Sequence, residues 1–319
     1  MVFAEGTRAA ASDGESVAAL DLGSSSFRLL RGEWRGGRFR PRIDLSRHVG
    51  LARWVRADGR LEAAGQARAL AVLEELGPLV ADLEPRQVWV VGTASLRVLR
   101  DGEAFHRAVE GSLGHPLRII DGSEEAWLTY SGAVGSCSIG TPGPYLVVDL
   151  GGASTELALG PGPVPDQTLS LPCGCATLAP ARISTPHPLD PDSLEGLCGR
   201  VRALLPPELS GFRNGTVRTV LAAPGVIRTL AGLAGSPGRI TVPGLARVRR
   251  RLEEDGGASG LLPAGAPAHH CRLLPGAWAI LSVLSEELDL TELREARAGL
   301  REGMVRGLSV AASPALPPD

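Results

Sequence analysis

Apolar and polar positions along this chain form two kinds of segment. Short apolar runs indicate buried strands, and longer stretches carry apolar residues at helical spacing. Strands are predicted at 17–22, 27–34, 87–91, 117–120, 145–149, 155–159, 167–171 and 217–222. Helices are predicted at 61–83, 101–113, 226–234, 245–254, 272–288 and 296–308, and another begins at Ser123. Strands mixed with helices in this order predict α/β layers.

The length of 319 residues favours two domains, because a single compact core rarely grows to that size. A looser stretch at 137–144, with two prolines and two glycines, indicates the boundary. We therefore expect an N-terminal domain over 15–136 and a C-terminal domain over 137–310, followed by a mobile tail over 311–319. Packing of the last helix back onto the first domain is kept as an alternative.

Composition excludes some classes of protein. The net charge is −2, with 33 basic and 35 acidic residues, whereas a dedicated DNA-binding protein is strongly basic. All the basic residues are arginines, so a phosphate would be met by planar guanidinium groups. Five irregularly spaced cysteines form no disulfide framework, and neither a signal peptide nor a membrane-spanning run is evident. We expect a cytoplasmic protein that binds neither DNA nor a membrane.

A short motif occurs twice, once in each half of the chain. Residues 20–26 read Leu-Asp-Leu-Gly-Ser-Ser-Ser, and residues 148–155 read Val-Asp-Leu-Gly-Gly-Ala-Ser-Thr. Each copy places an aspartate at the end of an apolar strand, then a glycine and small residues. A single copy is most simply an ordinary hairpin turn. Two copies in the same context favour a duplicated fold that holds a phosphate chain.

The chemistry of the repeated motif fits phosphate. Glycine lets a ligand approach the backbone, and a tight turn exposes consecutive N–H groups that bind anions. An ionised aspartate beside a phosphate needs a cation, for which Mg²⁺ is the natural choice.

With these motifs in place, the chain resembles the exopolyphosphatase and guanosine pentaphosphate phosphatase (Ppx/GppA) family of the actin-like ATPase superfamily. The resemblance is carried by residues 19–29, 91–97, 123–126, 148–157, 174–175 and 299–303, in the order in which the family has them. It implies two actin-like (ribonuclease H-like) α/β domains with mixed sheets flanked by helices, and an active site in the interdomain cleft.

The resemblance also implies roles for individual residues. Glu125 would be the general base, Glu156 a second acid that orients water or metal, and Asp149 a ligand of Mg²⁺, for which Mn²⁺ is an alternative. Asp21 and Glu156 would also contact the metal. Phosphate would be bound by Gly23, Ser24, Ser25, Ser26, Arg97, Gly151, Gly152 and Ser154. Without the resemblance, Arg97 is a solvated loop arginine and Glu125 an acid that stabilises a helix N-terminus.

The implied activity is hydrolysis of the terminal phosphoanhydride of inorganic polyphosphate. Two alternatives stay open: a pppGpp 5′-phosphohydrolase, and a non-catalytic regulator that binds polyphosphate or an alarmone. Ser25 stands where the family has asparagine and Ala153 where it has glycine, which leaves the regulator open, although the retention of Glu125, Glu156, Arg97 and Asp149 argues against it. Pro224 removes a backbone donor from the turn that binds adenosine in kinases. The sequence leaves open whether the protein is a homodimer.

Overall fold

A computed structural model describes residues 13–100, 102–138, 141–178, 191–213, 215, 217–255 and 262–309. The described residues form two compact units. The first unit extends to Asp121 and takes up the chain again from Leu300, and the second spans Gly122–Gly299. The predicted mobile tail lies outside the described residues.

The first unit is built on a five-stranded mixed sheet. Its strands are β1 (Ser16–Leu22), β2 (Ser26–Arg35), β3 (Arg38–His48), β4 (Val88–Gly92) and β5 (Leu117–Ile119), in the spatial order β3-β2-β1-β4-β5. The three strands β1 to β3 are antiparallel, and β4 and β5 run parallel to β1. Because β1 is a central strand, its run from Val17 to Leu22 is buried without alternation.

The helices of the first unit cover this sheet. They are α1 (Ala63–Leu76), α2 (Ala94–Arg97), α3 (Gly102–Leu113) and α9 (Leu300–Ser309). Helix α3 buries Phe105, Val109 and Leu113, which lie four residues apart on one face. The last helix, α9, packs against β1 and β2 and buries Met304 and Val305.

The second unit repeats this plan with one strand more. Its strands are β6 (Tyr145–Leu150), β7 (Thr155–Gly160), β8 (Gln167–Leu171), β9 (Thr219–Ala222), β10 (Arg239–Thr241) and β11 (Glu292–Glu295), in the order β10-β11-β9-β6-β7-β8. Strands β6 to β8 are antiparallel, β9 and β11 run parallel to β6, and β10 is an antiparallel edge strand. The order of β8, β7, β6, β9 and β11 thus corresponds to that of β3, β2, β1, β4 and β5.

The helices of the second unit are α4 (Gly122–Gly135), α5 (Pro191–Arg202), α6 (Val226–Leu233), α7 (Val242–Asp255) and α8 (Leu274–Glu287). Helix α8 is buried along most of its length, in a core shared with α5, α6 and α7. Helix α4 packs on β6, β7 and β8, and its burial extends to Glu124 and Glu125. No helix in the described ranges is both long and apolar enough to span a bilayer.

The sequence pattern missed several elements, for physical reasons. Strand β3 is an exposed edge strand rich in arginine and contains Pro41, which is tolerated only at an edge or a bulge. Strands β10 and β11 and helix α5 were also not predicted, and the last helix begins at Leu300 rather than at 296. Compactness groups residues 122–136 with the second sheet. The predicted domains, with a boundary at 136/137, stay a prediction, because compactness does not show which segments fold independently.

Candidate active site

The first loop connects β1 to β2 and consists of Gly23, Ser24, Ser25 and Ser26. It lies between Leu22 and Phe27, which form the last antiparallel pair of the hairpin, and Asp21 is one residue before the end of β1. The amide of Gly23 donates to the carbonyl of Ser26 at 3.2 Å. A Cβ atom at position 23 would lie 3.1 Å from that carbonyl oxygen, so the tight closure of the turn favours glycine.

The second loop connects β6 to β7 in the same way and consists of Gly151, Gly152, Ala153 and Ser154. It lies between the paired residues Leu150 and Thr155, and Asp149 is one residue before the end of β6. A Cβ atom at position 151 would lie only 2.8 Å from the carbonyl oxygen of Ser154, so glycine is more strictly required here. The two loops therefore have the same length, and in both the carbonyl of the fourth residue lies close to the glycine.

A segment that follows the third strand of each sheet supports the loop. In the first unit, the amides of Val49 and Gly50 donate to the carbonyl of Ser25 at 3.0 and 2.8 Å, and the amide of Ala52 donates to the carbonyl of Ser24 at 3.0 Å. This segment, Val49–Gly50–Leu51–Ala52, is called the first support.

The second support, Cys173–Gly174–Cys175–Ala176, also binds two loop carbonyls, but each lies one position earlier in the loop than in the first unit. The amide of Cys175 donates to the carbonyl of Gly151 at 3.0 Å, and that of Ala176 to the carbonyl of Gly152 at 2.8 Å. The thiol of Cys175 also contacts the carbonyl of Gly151, at 3.1 Å. A Cβ atom on Gly174 would lie 2.4 Å from the backbone of Gly152 and Ala153, which explains the glycine.

These supports fix the direction of the loop amides. In a trans peptide, the carbonyl oxygen and the next amide hydrogen point in opposite directions. Because the carbonyls of Ser24 and Ser25 face the first support, the amides of Ser25 and Ser26 point away from it. Likewise, because the carbonyls of Gly151 and Gly152 face the second support, the amides of Gly152 and Ala153 point away from it. Each loop therefore presents successive N–H groups on one side, as anion-binding turns do.

Asp21 lies near two arginines, Arg28 and Arg301, and near Glu302. Its cross-strand partner is Arg28, and partners in an antiparallel pair project from the same face of the sheet. Burial raises the pKa of Asp21, and the positive charges of Arg28 and Arg301 oppose that rise. The Oδ1 atom is buried and has no hydrogen-bond partner within the described part of the chain. Arg301 itself donates to Asp44 at 2.6 Å and to the carbonyl of Leu29 at 3.2 Å.

Asp149 has an acidic cross-strand partner instead. Asp149, Glu156 and Ser170 are aligned across β6, β7 and β8, so their side chains share one face. The Ser170 hydroxyl donates to Oε1 of Glu156 at 2.9 Å. Glu156 is buried and Asp149 is half-buried. Two neighbouring carboxylates in such a place favour a bound cation.

Helix α4 contacts this pair of carboxylates through Thr129, which lies on the same helix face as Glu125. The hydroxyl of Thr129, which is buried, donates to Oδ2 of Asp149 at 3.1 Å. Glu125 lies one turn before Thr129, and residues four apart on a helix share a face. The buried side chain of Glu125 is therefore on the face of α4 that meets Asp149.

Arg97 lies at the carboxyl edge of the first sheet. It ends α2, which follows β4, and its Nη1 donates to the carbonyl of Ile120, just beyond β5, at 2.6 Å. The first loop follows β1, which is parallel to both strands. Ligands of α/β sheets bind at this edge.

The carboxylates of the second unit fit magnesium better than Asp21 does. Mg²⁺ is held by one or two carboxylates together with water and substrate phosphates, rather than by a complete protein cage. Asp149 and Glu156 provide such a pair, and no larger cluster of three metal-binding side chains occurs among the described residues. Asp21 faces arginine charges instead, which disfavour a second cation.

The structure brings the predicted site residues together in two groups. Gly23, Ser24, Ser25, Ser26, Asp21 and Arg97 lie in the first unit, whereas Glu125, Asp149, Gly151, Gly152, Ser154 and Glu156 lie in the second. The sequence analysis missed Arg28, Arg301, Thr129 and Ser170. Arg28 is part of the first quoted motif, and Arg301 is part of the last. Their relation to Asp21 depends on strand register and on the return of α9.

The fold and the site define a class of protein: an α/β protein with two related mixed sheets, each with a supported glycine loop after an aspartate. The sequence profile of the Ppx/GppA phosphatase family matches residues 35–310. The chain belongs to this family, and therefore to a family of phosphate-releasing hydrolases. The predicted family, and the predicted α/β fold of two mixed sheets flanked by helices, are thereby confirmed.

Solved structures show the same fold. An exopolyphosphatase from Cytophaga hutchinsonii ATCC 33406 is 18% identical, with a TM-score of 0.81, over 93% of this chain and 100% of that one. A Ppx/GppA family member from Aquifex aeolicus is 23% identical, with a TM-score of 0.73, over 92% and 97% of the two chains. An exopolyphosphatase-like protein is 23% identical, with a TM-score of 0.78, over 91% and 98%.

Proposed function

We propose that the protein is an exopolyphosphatase that hydrolyses the terminal phosphoanhydride of inorganic polyphosphate and releases phosphate. The observation that carries the proposal is the acidic group of the second unit. There, Asp149 and Glu156 are cross-strand partners next to a supported glycine loop, and Thr129 links Asp149 to the helix face of Glu125. The similarity in fold to the Cytophaga hutchinsonii exopolyphosphatase supports the substrate class.

Polyanion binding is assigned to donors in both units. The amides of Ser25, Ser26, Gly152 and Ala153 would bind phosphate oxygens, helped by the hydroxyls of the first loop and of Ser154. Ala153 takes part through its backbone, so its methyl group does not remove a donor. In the first unit, Arg97, Arg28 and Arg301 would supply the positive charge, since a guanidinium group matches two phosphate oxygens.

Glu125 is proposed as the general base. It would accept a proton from water while the water oxygen bonds to the terminal phosphorus and the bridging P–O bond breaks. The shortened polyphosphate leaves with the bridging oxygen. Asp149 and Glu156 would hold Mg²⁺, which neutralises charge on the phosphate oxygens and would be replaceable by Mn²⁺. Positioning and charge neutralisation then account for most of the rate.

Two other activities use the same residues. A pppGpp 5′-phosphohydrolase would perform the same chemistry on a nucleotide, and a non-catalytic regulator would bind without turnover. The buried Glu125 and Glu156 argue against the regulator, because binding an anion gains nothing from acids beside it. Substrate preference decides between the two enzymes.

The test is a substrate panel with purified protein. Phosphate release is measured from short polyphosphate, long polyphosphate and pppGpp, with and without Mg²⁺. We expect Mg²⁺-dependent release from polyphosphate, faster than from pppGpp. Preference for pppGpp would replace the proposal by the second activity, and no release from any substrate would favour the regulator.

The Glu125→Gln variant tests the base. It is nearly isosteric, so it should still bind polyphosphate while turnover falls by about 100-fold or more, in line with the usual contribution of general base catalysis. Unchanged turnover would mean that Glu125 is not the base. Glu124→Gln, one residue away in the same buried turn, is the matched control and should retain turnover.

A further inference from the structure

We propose that Thr129 and Ser170 are positioning residues that orient Asp149 and Glu156 toward a shared divalent cation. The inference rests on the proposed function, since it concerns the same site. It adds two hydroxyl groups, neither of which the sequence analysis had connected with the chemistry.

The first step is the alignment of three side chains across the hairpin. Asp149 pairs with Glu156, and Glu156 pairs with Ser170, so all three project from one face of β6, β7 and β8. The Ser170 hydroxyl is 2.9 Å from Oε1 of Glu156. A buried carboxylate that accepts such a bond is held in one orientation and is favoured in its charged form.

The second step is the contact made by α4. Thr129 donates to Oδ2 of Asp149 at 3.1 Å and is almost fully buried, with 1% of its surface exposed. Each carboxylate thus has one identified hydroxyl donor bound to one of its two oxygens. Thr129 also lies one turn from Glu125, so the same bond fixes the position of the proposed base relative to Asp149.

The third step is the rigidity of Ser170. The first residue of α4, Gly122, lies so close to Ser170 that a Cβ atom there would be 2.3 Å from the Cβ and 2.4 Å from the Oγ of the serine. The start of the helix therefore restricts the serine side chain. Both hydroxyls are held by α4, one through contact at its first residue and one from its second turn.

Hydrogen bonds to the ligands of a metal orient those ligands, and their loss typically weakens metal binding by about 10- to 100-fold. A hydroxyl that only satisfied a buried group would affect folding and leave the cation affinity unchanged. Cation affinity is therefore the measurement that separates a positioning role from a structural one.

The experiment measures binding of Mn²⁺ alone by electron paramagnetic resonance, in the whole protein without substrate. Thr129→Val removes the hydroxyl at nearly constant shape, Thr129→Ser retains it, and Ser170→Ala removes the second donor. The matched control is Thr219→Val. Thr219 is equally buried in the same unit, and its hydroxyl donates to the carbonyl of Pro142 at 2.7 Å, beside the start rather than the end of β6.

We expect Thr129→Val and Ser170→Ala each to weaken Mn²⁺ binding by about 10-fold or more. Thr129→Ser should restore most of the Mn²⁺ affinity. Thr219→Val should lower thermal stability but leave the Mn²⁺ affinity unchanged. In steady-state kinetics, the Mg²⁺ concentration for half-maximal activity should rise more than kcat falls.

Affinities within twofold of wild type for Thr129→Val and Ser170→Ala would overturn the positioning role and leave the proposed function standing. A wild-type protein that hydrolyses polyphosphate but binds no Mn²⁺ would overturn the cation assignment together with the positioning role. Failure of the wild type in the substrate panel would instead overturn the proposed function itself.

Discussion

The two units use the same backbone arrangement and differ in the charges placed on it. In each, an aspartate precedes a four-residue loop, and a segment after the third strand binds the loop carbonyls. The first support reads Val-Gly-Leu-Ala and the second Cys-Gly-Cys-Ala. The shared geometry explains why the motif recurs, because each loop needs its glycine closure and its supporting turn to present amides on one side.

The difference lies on the neighbouring strand. Across the first sheet the aligned residues are Asp21, Arg28 and Ser46, and across the second they are Asp149, Glu156 and Ser170. A positive charge beside an acid favours its charged form, whereas two neighbouring acids repel each other when both are charged, a repulsion that a proton or a bound cation relieves. One difference on the second strand of each hairpin thus gives the first unit an acid paired with an arginine and the second unit a pair of acids.

The covering helices also differ in the charges of their first turns. In the first unit α9 places Arg301 and Glu302 near Asp21, and in the second α4 begins with a turn that contains Glu124 and Glu125. Each of these helices packs with one unit but follows a strand of the other unit in the chain. Helix α4 comes after β5 of the first sheet, and α9 comes after β11 of the second sheet. The chain thus supplies each sheet with a helix whose first turn carries charged residues.

The largest effect is expected from Glu156→Gln, which removes one of the paired charges. Cation affinity and turnover should each fall by more than about 100-fold, because losing even an outer partner costs 10- to 100-fold. Arg28→Gln should instead raise KM for polyphosphate and leave the Mg²⁺ requirement unchanged. Magnesium titrations of phosphate release measure both.

Glu33→Gln, on the same strand as Arg28 but among exposed arginines, is the control and should behave as wild type. If Glu156→Gln and Arg28→Gln shifted the Mg²⁺ requirement equally, the division of charge between the units would be wrong.

The sequence revealed the loops because they depend on local features. An apolar strand, an aspartate and a glycine lie within a few residues, so Gly23 and Gly151 could be found directly. Thr129 and Ser170 could not, because each acts on a residue that is distant in the chain and is brought near by α4 or by strand register. That α4 packs on the second sheet could not be predicted for the same reason, since α4 directly follows the last strand of the first sheet.

Replacing the glycine of each support by alanine, in the variants Gly50→Ala and Gly174→Ala, compares how tightly the two loops are packed through the free energy of unfolding. Gly174→Ala would place a Cβ atom 2.4 Å from the backbone of the second loop, which cannot move aside as a side chain can. We expect a loss of about 3 kcal/mol in the free energy of unfolding, at the upper end of overpacking costs. Gly50→Ala meets only the His48 ring at 3.3 Å but has a φ of +67°, for which about 1 kcal/mol is expected.

Urea unfolding measures both variants. Equal losses would show that the second loop adjusts to its support as easily as the first, which would contradict the close contact in the second unit.

A smaller change is expected from Gly122→Ala. The added methyl group should displace the Ser170 hydroxyl from Glu156, weakening Mn²⁺ binding by several-fold to about 10-fold. Gly111→Ala in α3 is the control, since a Cβ atom there meets nothing within 4 Å and should stabilise that helix by roughly 0.5–1 kcal/mol. Unchanged Mn²⁺ affinity in Gly122→Ala would indicate that Ser170 is not held by the helix.

The smallest expected effect is a loss of folding stability at alkaline pH that depends on Cys173 of the second support. Burial, together with the nearby charge of Glu156, raises the pKa of the Cys173 thiol to about 11 from its ordinary 9.0. The unfolded chain therefore loses this proton before the folded one, and stability falls as pH rises from 9 to 11, by about 1 kcal/mol at pH 10.

The corresponding residue of the first support is Val49, which does not titrate. Cys173→Val should therefore remove this part of the alkaline loss, measured as the difference in unfolding free energy between variant and wild type at pH 8 and pH 10. A difference that does not change with pH would show that Cys173 is not protected from ionisation in the folded state.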